Sequence, residues 1–319
     1  MQMTAKLARR GSIDKMSQAS VPPQVAFAAH IWEDNMIPAA FEYHRPSDIE
    51  AALGLLQAHG DEARVLAGGH SLIPMMKLRM AAIEHLIDLR DIPDLRDIRI
   101  DGTSVHIGAM VTQAELIAHD GLARVAPILR EAALQIADPQ VRYMGTVGGN
   151  VANGDPGNDM PGLMQALDAV FTLAGPDGDR EVAAREFYEA AYMTAREDDE
   201  ILTAIRFQAS AGGYAYEKQK RKIGDYATAA AAVLITREGD TVAEASIAMT
   251  NLSDTPVWSQ AAAAALAGTT CDAHAIKAAT QAALADIDPN EDNRGPVEFK
   301  RHVAGIIIAR AITRAWSRA

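Results

Sequence analysis

Two short stretches set glycine pairs beside hydroxyl and amide side chains. Ala67-Gly68-Gly69-His70-Ser71 lies between a strand-like lead-in and a helix-like follow-on, and Thr146-Val147-Gly148-Gly149-Asn150 repeats the theme. Glycine has no Cβ to block a ligand and admits positive φ. Successive N–H groups can then converge on one anion. Ser71 adds a hydroxyl donor, and the helix start after it adds a favourable dipole end. The first loop is neither G-x-G-x-x-G nor a P-loop, because no Gly-Lys-Ser/Thr follows. Alone it reads equally as a tight turn. Two such cradles suit a ligand with two linked phosphates. Past Asn150 come Asn153, Asp155, Asn158 and Asp159. An ionised aspartate is a pure acceptor, suited to the hydroxyls of a ribose or ribitol chain. Together these residues suggest a dinucleotide held without a Rossmann fingerprint.

A third stretch clusters Lys218, Lys220, Arg221 and Lys222 in an acidic protein. It reads as a solvated basic strand or docking face. It reads also as cations offsetting a pyrophosphate or the anionic edge of a reduced flavin. Tyr226, just beyond, reads from the residues alone as a core tyrosine.

These residues need elements to hold them. "AFEYHRP" is a short strand, and Ser47 and Asp48 open a helix with Ile49, Ala52, Leu53 and Leu56 on one face. "ARVLAGG" and "HLIDLRDI" are further strands, with "LIPMMKLRM" helical between them, which makes a βαβ-like opening. Ile98, Ile100, Val105 and Ile107 alternate around an Asp-Gly turn and predict a hairpin. The stretch from Thr112 to Asp138 predicts two helices. "TVGGNVANGDPGNDMPGL" predicts a long loop entering a helix near Met160. A second hairpin at "AVFTLAGPDGDREVAAREF" and a strand at "EILTAIRF" follow. Composition shifts at Ser210-Ala211-Gly212-Gly213, which marks a domain boundary. After it come strands and three alanine-rich helices, near 259–267, 273–286 and 296–317. The expected domains are 1–35, an extension, disordered or not part of the natural start; 36–210; and 211–319.

Composition excludes several classes. The chain has 319 residues and a net charge of −12, against the basic stripe that nucleic acid requires. A single cysteine, Cys271, excludes a disulfide framework, and with it an Fe–S cluster or a cysteine-built zinc site within this chain. No metal site is assigned from the sequence. No apolar run reaches the ~18 residues of a membrane span.

"AGGHS" followed by "TVGGN" resembles the FAD-binding medium subunit of the molybdenum hydroxylases, the xanthine dehydrogenase and aerobic carbon monoxide dehydrogenase group. The likeness runs from Met36 to the C-terminus. "MIPAAFEYHRP", "LAGGHSLIPMMKLR", "ADPQVRYMGTVGGNVANGDPGNDMP" and "GYAYEKQKRKIGDYATAAAAV" resemble the carbon monoxide branch most. The resemblance implies an α+β chain. It would pair a vanillyl-alcohol-oxidase-type (PCMH-type) FAD domain of two α/β subdomains with a small antiparallel sheet and a three-helix bundle. It implies FAD here, with a molybdenum–pterin centre (Mo–Cu in the carbon monoxide branch) on a large subunit. Two [2Fe-2S] clusters would lie on a small subunit, in a dimer of heterotrimers. That complex would be cytoplasmic, or at the inner face of the cytoplasmic membrane.

By position, Ala67, Gly68, Gly69, His70 and Ser71, with Thr146, Val147, Gly148, Gly149 and Asn150, would wrap the pyrophosphate, mainly through backbone N–H groups. His70 would shape the loop. Asp159 would take hydroxyls of the flavin's sugar-like chain. Ile136 would pack on the cofactor, Leu202 would lie near the adenine, Lys218 near the flavin edge and Tyr226 against the isoalloxazine. No residue of this chain would be catalytic, since substrate is oxidised on another subunit. The competing readings are a related aldehyde, purine or heterocycle hydroxylase, and a self-contained flavin oxidase.

Overall fold

The computed structural model describes residues 37–209 and 211–319. The expected N-terminal extension and Ser210 at the expected boundary lie outside the described residues.

Three parallel strands come first: β1 (Glu42–His44), β2 (Ala63–Leu66) and β3 (His85–Asp88), in spatial order β1-β3-β2. Parallel neighbours need crossovers, and helices α1 (Ile49–His59) and α2 (Leu72–Lys77) lie within them. Asp48 caps α1, accepting from the Ala51 N–H at 2.8 Å. Ala52 and Leu56 are buried, with Ile49 and Leu53 beside them on one face, as the period predicts.

An antiparallel sheet follows. It holds β4 (Ile98–Asp101), β5 (Ser104–Gly108), β6 (Val170–Gly175), β7 (Gly178–Ala183) and β10 (Ile201–Gln208), in order β4-β5-β10-β6-β7. A small pair, β8 (Tyr188–Ala190) and β9 (Met193–Thr194), precedes β10. Between β5 and β6 lie α3 (Gln113–Ala118), α4 (Asp120–Val125), α5 (Pro127–Ala133), α6 (Pro139–Met144), α7 (Val147–Ala152) and α8 (Asp159–Ala166). The stretch expected as two helices therefore contains three. The His119 ring caps α4 by accepting from Leu122 N–H at 3.1 Å. Pro127, lacking an N–H, opens α5. The stretch expected as one long loop also contains α7. Thr146 caps it by accepting from Gly149 N–H at 3.0 Å, which outweighs the poor helix propensity of two glycines.

The C-terminal part is a four-stranded antiparallel sheet of β11 (Gly213–Gln219), β12 (Ala229–Glu238), β13 (Thr241–Thr250) and β14 (Val257–Trp258), in chain order. Helices α9 (Gln260–Leu266), α10 (Ala273–Asp286) and α11 (Val297–Trp316) complete it. The run Ala229-Ala-Ala-Ala-Val-Leu-Ile is apolar throughout because both sheet faces are covered. Ala230 and Ala232 share a core with Ile107, Leu163 and Phe171. Ala229, Ala231 and Val233 pack with Leu266, Ala279 and Ile308 of the three helices. The architecture is the expected α+β one. Among the described residues no helix is long and apolar enough to cross a membrane.

Candidate functional site

The two glycine stretches meet at one cleft. Its volume is about 470 Å³, within the ~300–1,000 Å³ usual for small-molecule sites. Ala67, Gly68, Gly69, His70 and Ser71 follow the C-terminal end of β2 and line it. Thr146, Gly148, Gly149 and Asn150 line it from α7, held by an antiparallel bridge between Thr146 and Thr112. Ile136, Asp159, Leu202, Lys218 and Tyr226 complete the set. Val147 alone of the expected residues stays out. It is fully buried, and its N–H donates to Val111 O at 2.8 Å.

The glycines permit close backbone approach. A Cβ on Gly148 would stand 2.5 Å from Ala109 Cβ and 2.7 Å from Ala109 O, and one on Gly68 would collide with the Met144 carbonyl. Gly69 has φ +76°, the left-handed region that favours glycine.

The two loops differ in what they offer a ligand. In the second, the N–H groups are already used: Gly148 donates to Ala109 O at 2.9 Å, Gly149 to Thr146 Oγ1 at 3.0 Å and Asn150 to Thr146 O at 3.1 Å. The expectation of a second backbone cradle is corrected, because Ala109 takes the Gly148 donor, the Thr146 cap takes that of Gly149 and the helix takes that of Asn150. What remains is the Thr146 hydroxyl and the Asn150 side-chain amide, whose oxygen accepts from Met160 N–H at 3.2 Å. In the first loop the N–H groups of Gly68, Gly69, His70 and Ser71 meet no acceptor among the described residues. Backbone donors without acceptors among the described residues, two of them on glycines, have the chemistry that suits a diphosphate.

Asp159 is a buried charge of the site. Lys218 Nζ donates to its Oδ2 at 2.8 Å, and the Tyr216 hydroxyl donates to its Oδ1. Burial pushes the Asp159 carboxyl above the ordinary range, while the Lys218 ammonium and the Tyr216 hydroxyl pull it back. Burial and the adjacent carboxylate hold Tyr216 well above the usual tyrosine value, so it remains a donor. Lys218 also reaches Gln135 O at 3.3 Å, and its side chain is 1% exposed. It is therefore no part of a solvated basic strand. The run splits: Lys220 turns to Gln135 Oε1 at 3.3 Å, and Arg221 pairs with Asp225 at 3.0 Å.

Tyr226 is 40% exposed, with the Arg294 guanidinium 5.3 Å from its ring centre. It is not a core tyrosine. Ile136 and Leu202 are buried apolar walls of the cleft, and His70 stands exposed at its rim.

Sequence reasoning missed three participants. Tyr216 was findable, since residues two apart on a strand share a face and Lys218 was already singled out. Arg196 and Glu200 also line the cleft. Arg180 clamps Glu200 through Nε at 2.5 Å and Nη2 at 2.8 Å and holds its carboxyl below the usual range. No spacing in the sequence announces that pair.

Two family models match the chain. Residues 39–209 match the FAD binding domain in molybdopterin dehydrogenase, and residues 214–315 match the CO dehydrogenase flavoprotein C-terminal domain. The carbon monoxide dehydrogenase medium chain of Afipia carboxidovorans is 56% identical over 89% of this chain and 99% of its own length. The glyceraldehyde dehydrogenase medium chain of Sulfolobus acidocaldarius is 31% identical over 86% of this chain and 98% of its own. The structure of reconstituted CO dehydrogenase from Oligotropha carboxidovorans has a chain 56% identical in sequence. It superposes with a TM-score of 0.88 over 89% of this chain and all of that one.

Proposed function

Because this chain belongs to the FAD-binding medium chains of the molybdopterin dehydrogenases, we propose that it is the electron-transfer subunit of an aerobic carbon monoxide dehydrogenase. The support for that branch is the 56% identity to a carbon monoxide dehydrogenase medium chain, against 31% to a glyceraldehyde dehydrogenase one over similar lengths. The support for the site is the row of N–H groups from Gly68 to Ser71, which line the cleft and meet no acceptor among the described residues.

FAD, when bound, exchanges electrons singly or in pairs. Residues of this chain hold and shield it. The first loop meets the diphosphate with N–H donors, and Thr146 and Asn150 add a hydroxyl and an amide. Asp159 accepts from the ribitol hydroxyls, held in place by Lys218 and Tyr216. Ile136 and Leu202 exclude water from the apolar rings. Tyr226 presents its ring where the cleft opens to solvent. We place the junction of the two domains at residues 210 and 211.

The oxidation of CO with water to CO2, two protons and two electrons would belong to a molybdenum–pterin centre on a large subunit. Two [2Fe-2S] clusters on a small subunit would supply the electrons to this chain, within a dimer of heterotrimers in the cytoplasm or at the inner face of its membrane. The test is to purify the native complex, record its metals and flavin, and assay CO-dependent dye reduction. CO-dependent reduction with FAD on this chain is expected. A complex with molybdenum, iron and FAD but no response to CO would replace the substrate by that of a related hydroxylase. A flavin-free complex would remove the cofactor reading itself.

A further inference from the structure

Three histidines and a carboxylate converge on one face of the parallel sheet, around the start of β3. Glu42 stands in register with His85 across the β1–β3 pair, and Ala63 flanks His85 on the other side. These are the N-terminal ends of the strands. The loop of Gly68 and Gly69 leaves β2 at the opposite end, past Leu66, which pairs with Asp88. Three residues of strand, roughly 10 Å, separate the two edges. His44 lies two residues after Glu42, level with Ile87, and so on the same face. The third imidazole arrives by topology. A crossover helix runs antiparallel to the strands it joins, so the last residue of α1, His59, returns to the strands' starting edge.

Outward-facing strand positions do not require three imidazoles in contact. The ring of His59 stacks on that of His85 with centroids 3.6 Å apart, and His44 lies 5.3 Å from His85. One nitrogen from each of the three lies within 4.8 Å of the others. The His44 Nε2 to His85 Nδ1 distance is 3.1 Å. That is close to the edge of a tetrahedron with metal–nitrogen bonds of 2.0–2.1 Å, about 3.3 Å. The Glu42 carboxylate lies 3.6 Å from His85 Nδ1 and 4.0 Å from His44 Nε2. The His59 ring would have to tilt out of its stack on His85 to bring a nitrogen to the same point.

We infer that His44, His59, His85 and Glu42 form a binding site for a borderline divalent transition-metal ion of the Zn2+ class. Three imidazoles and one carboxylate are a donor set for tetrahedral zinc, and their mixed nitrogen and oxygen character disfavours Mg2+ and Ca2+. The ion would tie the first strand to the end of α1 and to β3. None of its four ligands lines the cleft, so it would be a staple of the fold and not part of electron transfer. The sequence hid the site because its ligands are spread over 44 residues in no metal-motif spacing.

The test uses the full-length chain without a polyhistidine tag, stripped with a chelator and dialysed. Zn2+ is added and counted by elemental analysis after desalting, and Co2+ is used as a spectroscopic probe. Retention of one Zn2+ per chain is expected, with a four-coordinate Co2+ spectrum that Zn2+ abolishes and a rise in Tm with Zn2+. His85→Asn and, independently, His59→Asn should lose the retained ion and the Tm rise. His59→Asn ends a helix with a residue that tolerates that position, so it keeps the test open if His85→Asn does not fold. No stoichiometric retention, or retention undiminished in these variants, would overturn the site.

Discussion

Lys218 and Asp159 are worth more together than apart. Both side chains are almost fully buried, at 1% and 5% exposure, and burying one such charge without its partner is strongly unfavourable. Lys218→Met should therefore destabilise the fold by about 3–5 kcal/mol, and FAD content should fall with it. Adding Asp159→Asn to that variant should restore stability but not flavin, and thermal unfolding with flavin absorbance reads both. Glu200 behaves in the opposite sense to Asp159. Arg180 lowers its folded value below the ordinary 4.5. Its contribution is thus fully present above 4.5 and is lost as pH falls through the lower folded value. Glu200→Gln should flatten the acid limb of a stability–pH curve, with little change in the slope near neutrality. A slope identical to wild type below pH ~4.5 would remove Glu200 from that account. At this scale the sequence was legible where chemistry is local. Gly68, Gly69 and Asp159 announce themselves by type and company. The partners of Asp159 and Glu200 do not, because Lys218 lies 59 residues from the first and Arg180 lies 20 from the second.

Elements convert those residues into a cradle, and glycines test the conversion in two directions. Gly148→Ala would drive a methyl into the backbone of Ala109. The segment after β5 and α7 would have to part, at a cost of about 1–3 kcal/mol, with loss of flavin. Gly54→Ala provides the contrast: it is exposed within α1, and a Cβ there meets nothing within 4 Å. That variant should gain about 0.5–1 kcal/mol with flavin unchanged. Urea titrations of the two variants decide the matter, and a neutral Gly148→Ala would show that the approach to Ala109 is not needed. Strands, hairpins and the three C-terminal helices were readable from their periods and turns. The stretch from Thr112 to Ala152 was not. There short helices begin at side-chain caps on Thr112, His119 and Thr146, and capping decides backbone direction within one turn, below the window over which periodicity is read. The Thr146 cap and the close approach to Ala109 together explain why the second glycine pair has no spare N–H groups.

Across the whole molecule the sheet of β11 to β14 is shared property. One face belongs to the core that holds Ile107 and Phe171, the other to the core under α9, α10 and α11. Charge crosses the same boundary. Glu131 of α5 accepts from Tyr216 N–H at 2.6 Å and from Arg318 at 2.8 Å, and pairs with Arg314 as well. Arg314 continues to Glu217 at 2.7 Å and to Tyr216 O at 2.7 Å. Two units joined by a continuous apolar core and a bridging carboxylate cannot unfold independently without exposing both. Calorimetry of the full chain should show one endotherm, although chains of this size commonly divide into separately melting domains. Glu131→Ala should lower Tm while leaving that transition single, because the apolar face of the sheet still couples the units. Bound FAD should raise Tm, since the ligand favours the folded state only, and the rise should be common to the whole endotherm because the cleft takes Lys218 and Tyr226 from the C-terminal part. Two resolved transitions, with flavin shifting only one, would mean that the C-terminal unit docks on a finished flavin domain and does not help build it.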